Sequence, residues 1–315
     1  MSTTADMQAG AGSPVAINKV FVVLNPVAGL TNAENARQTI ERFCQEKGWD
    51  CNIHETKPDE DLRDLVRQEL KKGVDLVIAA GGDGTVSAVV SGMVNSKKPM
   101  AILPAGTGNA VARDLSIPLD IQQALELIGG DHTVQLLDAM ELNGDYWILN
   151  VSVGVSSLTM RNTSREQKRR FGMLAYAWRA VGLLRRSDTH RFEIKVDDRI
   201  YRFHASEVMI ANSKLLGLQP QLEGVNVDPN DGTLDLFVVR AHRPTEYFGV
   251  FARFLLPKEP NGDEKLRYLK ITDSIEINSE FPLPVQADGE VVGNTPMRVK
   301  LVPDALQVVV PCAKA

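Results

Sequence analysis

Cysteine is nearly missing from this chain: Cys44, Cys51 and Cys312 are the three in 315 residues, and no CxxC pair occurs. So small and scattered a set argues against a disulfide framework or a structural zinc site and fits a reducing cytoplasm. No run of about 18 apolar residues occurs, so no bilayer-spanning helix is expected, although contact with a membrane surface stays open. Residues 1–16 have neither a basic start nor an apolar stretch, which argues against a secretory signal and leaves a flexible tail as the expectation. An excess of positive charge is also lacking. Lys and Arg number 35 against 40 Asp and Glu, a net charge of −5, so no nucleic-acid partner is expected. The five histidines, His54, His132, His190, His204 and His242, show no metal-ligand spacing. No GK[ST] and no GxGxxG occur, which excludes a Walker loop and leaves a dinucleotide dehydrogenase poorly supported.

What is present is a globular chain, 43% hydrophobic and long enough for about two domains. Residues 17–137 alternate strand and helix. Lys19–Leu24 and Val74–Ala80 are continuous apolar runs of the kind found in strands buried on both faces. Asp50–His54 and Met100–Pro104 add two more strands. Between them, Ala36, Ile40, Phe43 and Cys44 form a helical stripe ended by Gly48. Leu62, Leu65, Val66 and Leu70 form a second stripe, with Asp59 as its expected N-cap. A third helix spans Val86–Val94. This alternation with short loops predicts a parallel α/β sheet with right-handed crossovers.

Residues 138–315 change period to two. Asn143-Gly144 separates VQLLDAMEL from DYWILNVSV, a strong hairpin signal. Phe192, Ile194 and Val196 alternate with polar residues, as do Leu234, Leu236 and Val238, Ile275 and Ile277, Val299 and Leu301, and Leu306, Val308 and Val310. Half-buried antiparallel strands forming a β-sandwich are the expectation, with helices over Phe171–Leu184 and Thr245–Leu256 and the last residues returning to the first half.

Three turns follow strands in the first half: Asn25-Pro26-Val27-Ala28-Gly29, Gly81-Gly82-Asp83-Gly84-Thr85 and Ala105-Gly106-Thr107-Gly108-Asn109. Glycine permits close backbone approach, and the amides and dipole at a helix start attract anions. One such turn is as well explained by a tight strand-to-helix connection. Three, at the carboxyl ends of parallel strands, point to a phosphate-rich ligand. Asp83 is the odd member: beside a phosphate it requires a cation, a donor hydroxyl or an outward orientation.

The set NPVAG, GGDGT and LPAGTGN, in this order and spacing across residues 19–115, resembles the diacylglycerol kinase catalytic family, which includes bacterial soluble lipid kinases and sphingosine kinases. Downstream, Asn230-Asp231-Gly232-Thr233-Leu234-Asp235 is similar to the family's metal-associated segment, and Gln286-Ala287-Asp288-Gly289-Glu290 to its late catalytic segment. The resemblance implies an ATP-dependent, Mg²⁺-requiring lipid kinase with an α/β nucleotide domain of NAD kinase or phosphofructokinase type and a β-rich acceptor domain. It implies nucleotide contacts at Asn25, Pro26, Gly29, Thr56, Gly81, Gly82, Asp83, Gly84, Thr85, Gly106, Thr107, Gly108 and Asn109. It implies a metal ligand at Asp231, helped by main-chain carbonyls near Asp228 and Thr233, and catalytic roles for Asp83, Asp288 and Glu290. Strand alternation would put Asp288 and Glu290 on one face, and sequence does not separate them as general base; Glu290 is the preferred acceptor of the proton.

Residues 161–186 carry eight Lys or Arg and one acid, Glu166, interleaved with Phe171, Leu174, Tyr176, Trp178, Val181 and Leu184. A basic amphipathic helix reads as peripheral contact with an anionic inner membrane surface, where a lipid substrate resides; a buried helix with a solvated basic flank reads almost as well. Asn212 is followed by Ser213-Lys214-Leu215-Leu216-Gly217-Leu218, with one glycine where the family often has several, so the acceptor lipid stays open. So does the choice between monomer and homodimer. Two rival functions remain: an NAD kinase-like phosphotransferase, whose expected Asn-Glu pair is replaced by Asn109-Ala110, and a non-catalytic nucleotide or lipid sensor.

Overall fold

The computed structural model describes residues 17–27, 33–58, 60–161, 189–214, 225–243, 245–247, 249–250 and 265–312. Gly29, Asp59 and the expected helix Phe171–Leu184 lie outside them, as do residues 251–256 of the expected helix from Thr245. The chain is helical at 245–247 and 249–250. Among the described residues no helix is long and apolar enough to cross a membrane.

Strands β1 (Lys19–Leu24), β2 (Asp50–Glu55), β3 (Leu76–Gly81) and β4 (Pro99–Pro104) lie parallel in the order β2-β1-β3-β4. Every residue of β3 and β4 is buried, as the continuous apolar runs require; β2 is the edge and alternates. Helices α1 (Ala33–Lys47) and α5 (Ile121–Gly129) cover one face through Ile40, Cys44, Leu125 and Ile128. Helices α2 (Leu62–Lys71), α3 (Asp83–Met93) and the short α4 (Ala110–Asp114) cover the other through Val66, Val86, Val89, Val90 and Val111. Two boundaries differ from the apolar pattern. The cap of α2 is Asp61, whose carboxylate accepts the amides of Arg63 and Asp64. Helix α3 begins at Asp83, three residues before the first apolar position, because the glycine turn is itself the first turn of the helix.

Strands β5 (Thr133–Leu142) and β6 (Asp145–Trp147) form the hairpin at Asn143-Gly144, whose φ values of 57° and 84° are both left-handed. The second run is split between two sheets. At Ile148-Leu149 the chain leaves this sheet, and β7 (Asn150–Gly154) pairs in another. The second sheet has the order β12-β11-β10-β7-β14-β15, formed by β10 (Glu207–Ala211), β11 (Leu234–Val239), β12 (Leu266–Ile271), β14 (Pro284–Ala287) and β15 (Glu290–Asn294). It packs on β8 (His190–Val196), β9 (Arg199–Ala205) and β13 (Ser274–Ser279) to make the sandwich core around Val151, Val153, Phe192, Ile194, Leu236, Ile275 and Val285. A short helix α6 (Val155–Arg161) follows β7. Every residue of β11 is buried, rather than alternate ones, because Phe237 and Val239 face a further apolar layer with Val225, Val227 and Val250.

The long strand β16 (Met297–Val310) joins the halves. Its start pairs antiparallel with β13, its length with β5, and Gln307 and Val308 pair parallel with β4. The sheet therefore continues from β4 through β16 into β13, β8 and β9 without a break. The ladder shifts register between Val302 and Leu306, where Asp304 adopts a φ of 50°. One hydrogen-bonded sheet thus fixes the sandwich against the carboxyl ends of β1, β3 and β4.

Candidate active site

The first and second turns are tied together. Asn25 Nδ2 donates to Thr85 Oγ1 at 3.0 Å, and Asn25 Oδ1 accepts the amide of Val27 at 3.0 Å. Thr85 is buried and lies over Gly81, where a Cβ would sit 2.4 Å from Thr85 Oγ1. Its hydroxyl therefore locks two turns together rather than capping α3, whose N-terminus carries no side-chain cap. The Thr85 and Val86 amides turn back to the Gly82 carbonyl at 3.0 and 3.1 Å, and a helix start without a side-chain cap is the kind of place that attracts an anion.

The third turn packs on the second. A Cβ on Gly106 would lie 2.6 Å from Gly82 Cα, and one on Gly108 would lie 2.7 Å from Asp83 Oδ2. Asn109, at a φ of 49°, closes the turn by accepting the Gly106 amide and donating to the Gly106 carbonyl, both at 2.8 Å. Asp83 Oδ1 accepts the Ala110 amide at 2.6 Å. Burial pushes the Asp83 carboxyl up from its ordinary value, and the amides of Ala110, Val111 and Asn109 pull against that rise. Its charge is thus met by amides at the start of α4, and Asp83 braces the second turn against the third. Thr107 is exposed on the rim, and Thr56 stands where β2 leaves β1, its amide bonded to the Leu24 carbonyl at 2.9 Å. Pro26 lies in the described part of the first turn.

The second half contributes the turn between β14 and β15. Asp288 and Gly289 have φ values of 45° and 87°, a two-residue left-handed turn. The extended alternation expected across residues 288–290 is therefore absent, and the two carboxylates part. Asp288 points inward: it accepts the amides of Ile148 at 3.1 Å and of Leu149 and Asn150 at 3.0 Å, and the Ser87 hydroxyl. These are the residues at which the chain switches sheets, so Asp288 fastens the crossover and α3 to the turn. Burial raises its carboxyl above the ordinary value, with Ser87 and the three amides opposing. With four donors on two oxygens, Asp288 is a poor candidate for proton acceptor. Glu290 points outward, is exposed, and reaches the glycine turn: a Cβ on Gly84 would lie 3.9 Å from Glu290 Oε1. One carboxylate from the sandwich thus faces the uncapped start of α3.

The loop before β11 was expected to hold metal. Asp231 Oδ1 accepts from the Thr233 amide at 3.0 Å and the Thr233 hydroxyl at 2.6 Å, while Lys270 Nζ lies 2.8 Å from both Asp231 Oδ2 and Thr233 Oγ1. The Asp228 carboxylate turns back to the Asn230 amide at 3.1 Å. Among the described residues no three acidic, His or Cys side chains converge on one point. The Lys270 ammonium stands against Asp231 Oδ2, so a magnesium ion taking that oxygen would have to displace it. The loop is held instead by Asp138, which accepts the amides of Gly232 at 2.8 Å and Asp304 at 2.9 Å, and by Asn212, which donates to the carbonyls of Asp138 at 2.9 Å and Ile148 at 3.2 Å. Asp235 is buried beneath it. The Tyr268 hydroxyl donates to its Oδ1 at 2.6 Å, its Oδ2 has no partner among the described residues, and burial raises its carboxyl to about 6.

Sequence reading named Asp288 and Glu290 but missed Ser87, Asp138, Asn150 and Lys270, which lie in unrelated segments and meet only in the fold. A cavity of about 640 Å³ lies apart from the turns, lined by Asp114, Gln135, Lys214, Asn226, Asp228 and Cys312 among others. Residues 162–186 lie outside the described ones.

Comparison with known proteins agrees with this arrangement. The diacylglycerol kinase catalytic domain profile matches residues 19–141, and the profile of the YegS C-terminal NAD kinase beta sandwich-like domain matches residues 149–310. The chain is 28% identical over 308 residues to a diacylglycerol kinase of Bacillus subtilis, covering 95% of this chain and 98% of that protein. It is 29% identical over 302 residues to a probable YegS-like lipid kinase of Pseudomonas aeruginosa, covering 93% and 95%. The crystal structure of a diacylglycerol kinase from Bacillus anthracis superposes with a TM-score of 0.78 at 27% identity, over 95% of this chain and 99% of that one. An α/β half with three glycine turns, joined through a shared sheet to a YegS-type sandwich, makes this chain a member of the diacylglycerol kinase catalytic-domain family.

Proposed function

We propose that the chain transfers the γ-phosphoryl group of ATP to a lipid hydroxyl, with diacylglycerol or a sphingosine-like alcohol as the acceptor class. The observation that carries this reading is the Glu290 carboxylate facing Gly84 at the open N-terminus of α3. Phosphoryl transfer requires positioning and charge stabilisation more than covalent chemistry. The amides of Gly81–Thr85, backed by the third turn, would hold the phosphates, with magnesium arriving as the counter-ion of the nucleotide. The acceptor hydroxyl enters between the halves. As its oxygen bonds to the γ-phosphorus and the bond to the ADP oxygen breaks, Glu290 accepts the hydroxyl proton. Membership of a kinase family supports the phosphotransfer. The basic segment 161–186 is proposed to bring the enzyme to an anionic membrane surface, and co-sedimentation with anionic vesicles at low salt tests that part.

The transfer is tested with radiolabelled ATP against diacylglycerol, monoacylglycerol, sphingosine, ceramide and NAD. Label in a lipid product supports the reading. The match of residues 149–310 to an NAD kinase-like sandwich favours NAD as the alternative acceptor, and label on NAD alone would move the assignment there.

A further inference from the structure

We propose that Glu207, inside the sandwich, is a positioning residue for Glu290, acting through a one-way chain of hydrogen bonds made by Ser156, Ser152 and Gln286. The inference rests on the kinase reading only for its activity readout. Gln286 Oε1 accepts the amide of Gly289 at 2.9 Å, which fixes the side-chain amide's orientation. Its Nε2 therefore points away from the turn and donates to Asn150 Oδ1 at 2.6 Å and to Ser152 Oγ at 2.7 Å. Ser156 has one hydroxyl proton and gives it to Glu207, so the 2.6 Å bond between the two serine hydroxyls takes its proton from Ser152. Ser156 in turn donates its hydroxyl to Glu207 Oε1 and its backbone amide to Oε2 at 3.0 Å. With Glu207 ionised, a donor-only NH₂ group at one end and a carboxylate at the other set the direction of every proton between them; burial raises that carboxyl to about 7, so the direction belongs to pH above that.

Three of its four members are buried, Ser152 at 1% exposed, Gln286 at 4% and Glu207 at 8%, and Ser156 is half-buried. Burying a carboxylate in a sheet core is costly unless its oxygens are bonded, and the apolar run Glu207–Ala211 gives no packing reason for an acid at its head. Gly154 makes the arrangement feasible. It adopts a φ of 129°, and a Cβ there would lie 2.8 Å from Glu207 Oε2 and 2.2 Å from the Ser206 carbonyl oxygen. At the far end, the Gln286–Gly289 bond holds the left-handed turn from which Glu290 emerges. A flipped Gln286 would release that amide and let Glu290 drift from Gly84.

The test compares Glu207→Gln, Ser156→Ala, Ser156→Thr and Gln286→Leu by hydrogen exchange across 286–290 and by steady-state kinetics on the most active lipid. Glu207→Gln replaces the terminal acceptor with a group that also donates. It and Ser156→Ala should each speed exchange at Gly289 and lower kcat by about tenfold, with KM for ATP within about twofold. Ser156→Thr keeps the hydroxyl and should restore both. The double variant Glu207→Gln with Gln286→Leu should be no slower than the worse single one, since both break one chain. Unchanged exchange at Gly289, or additive losses in kcat, would overturn the proposal. A wild-type enzyme inactive on every lipid would sink the kinase reading by itself, while the exchange data still decide the chain.

Discussion

Asp288 and Glu290 stand two residues apart and differ in almost everything that matters chemically. Asp288 accepts three amides and a hydroxyl where the chain switches sheets; Glu290 is exposed beside Gly84. Glu290→Gln should lower kcat by about 10²–10⁴-fold, with nucleotide affinity and melting temperature near wild type. Asp288→Asn should instead destabilise the fold by about 2–3 kcal/mol, because an amide nitrogen would face donors in a buried site. Denaturant titration beside steady-state kinetics separates the two outcomes. The motif around residues 286–290 was legible, but the division of labour was not. It follows from the left-handed turn at Asp288-Gly289, which alternation along a strand does not anticipate. Asp83 teaches the same point. Its oddity in a phosphate loop was visible, and the answer, the amides at the start of α4, came from a turn 27 residues further on.

At the level of elements, the parallel strands and their helices were readable because continuous apolar runs and helical stripes are strong local signals. The hairpin at Asn143-Gly144 was legible, while the switch between sheets at Ile148-Leu149 was not, because a crossover between sheets leaves no periodic mark. The glycine turns were legible as turns, while their contact with each other was not. That contact carries a prediction. Gly106→Ala places a methyl against the Gly82 backbone, where no flexible side chain can yield, so it should weaken ADP binding and cost about 1–3 kcal/mol in stability. Calorimetric titration and thermal melts measure both. The acidic loop carries another. With Lys270 on Asp231, chelation of magnesium should leave the nucleotide-free melting temperature unchanged, whereas Lys270→Met should lower it and make it respond to added magnesium.

On the scale of the whole molecule, β16 welds two architectures into one sheet and holds the sandwich turn over the rim of the first half. The two classes of architecture were clear from the change of period. The residues that join them were less so, because β16 looks like two short alternating runs separated by Pro303-Asp304. Stability should also carry a pH signature. Asp235 is 1% exposed and its carboxyl is raised from 3.8 to about 6 by burial. A folded-state value above the unfolded one favours the neutral form, so this stabilisation is full below about pH 4 and is lost as pH rises through about 6. Between about pH 4 and pH 8 the unfolding free energy of Asp235→Asn should therefore gain about 2 kcal/mol relative to wild type. Urea unfolding at both pH values gives the comparison.

The account turns on where a nucleotide's phosphates lie. A crystal structure with ADP and magnesium should place the diphosphate on the amides of Gly81–Thr85, with the Glu290 side chain on the same side of the cleft. A diphosphate seated elsewhere, for instance in the cavity beside Asp114 and Lys214, with the glycine turns bare, would contradict it.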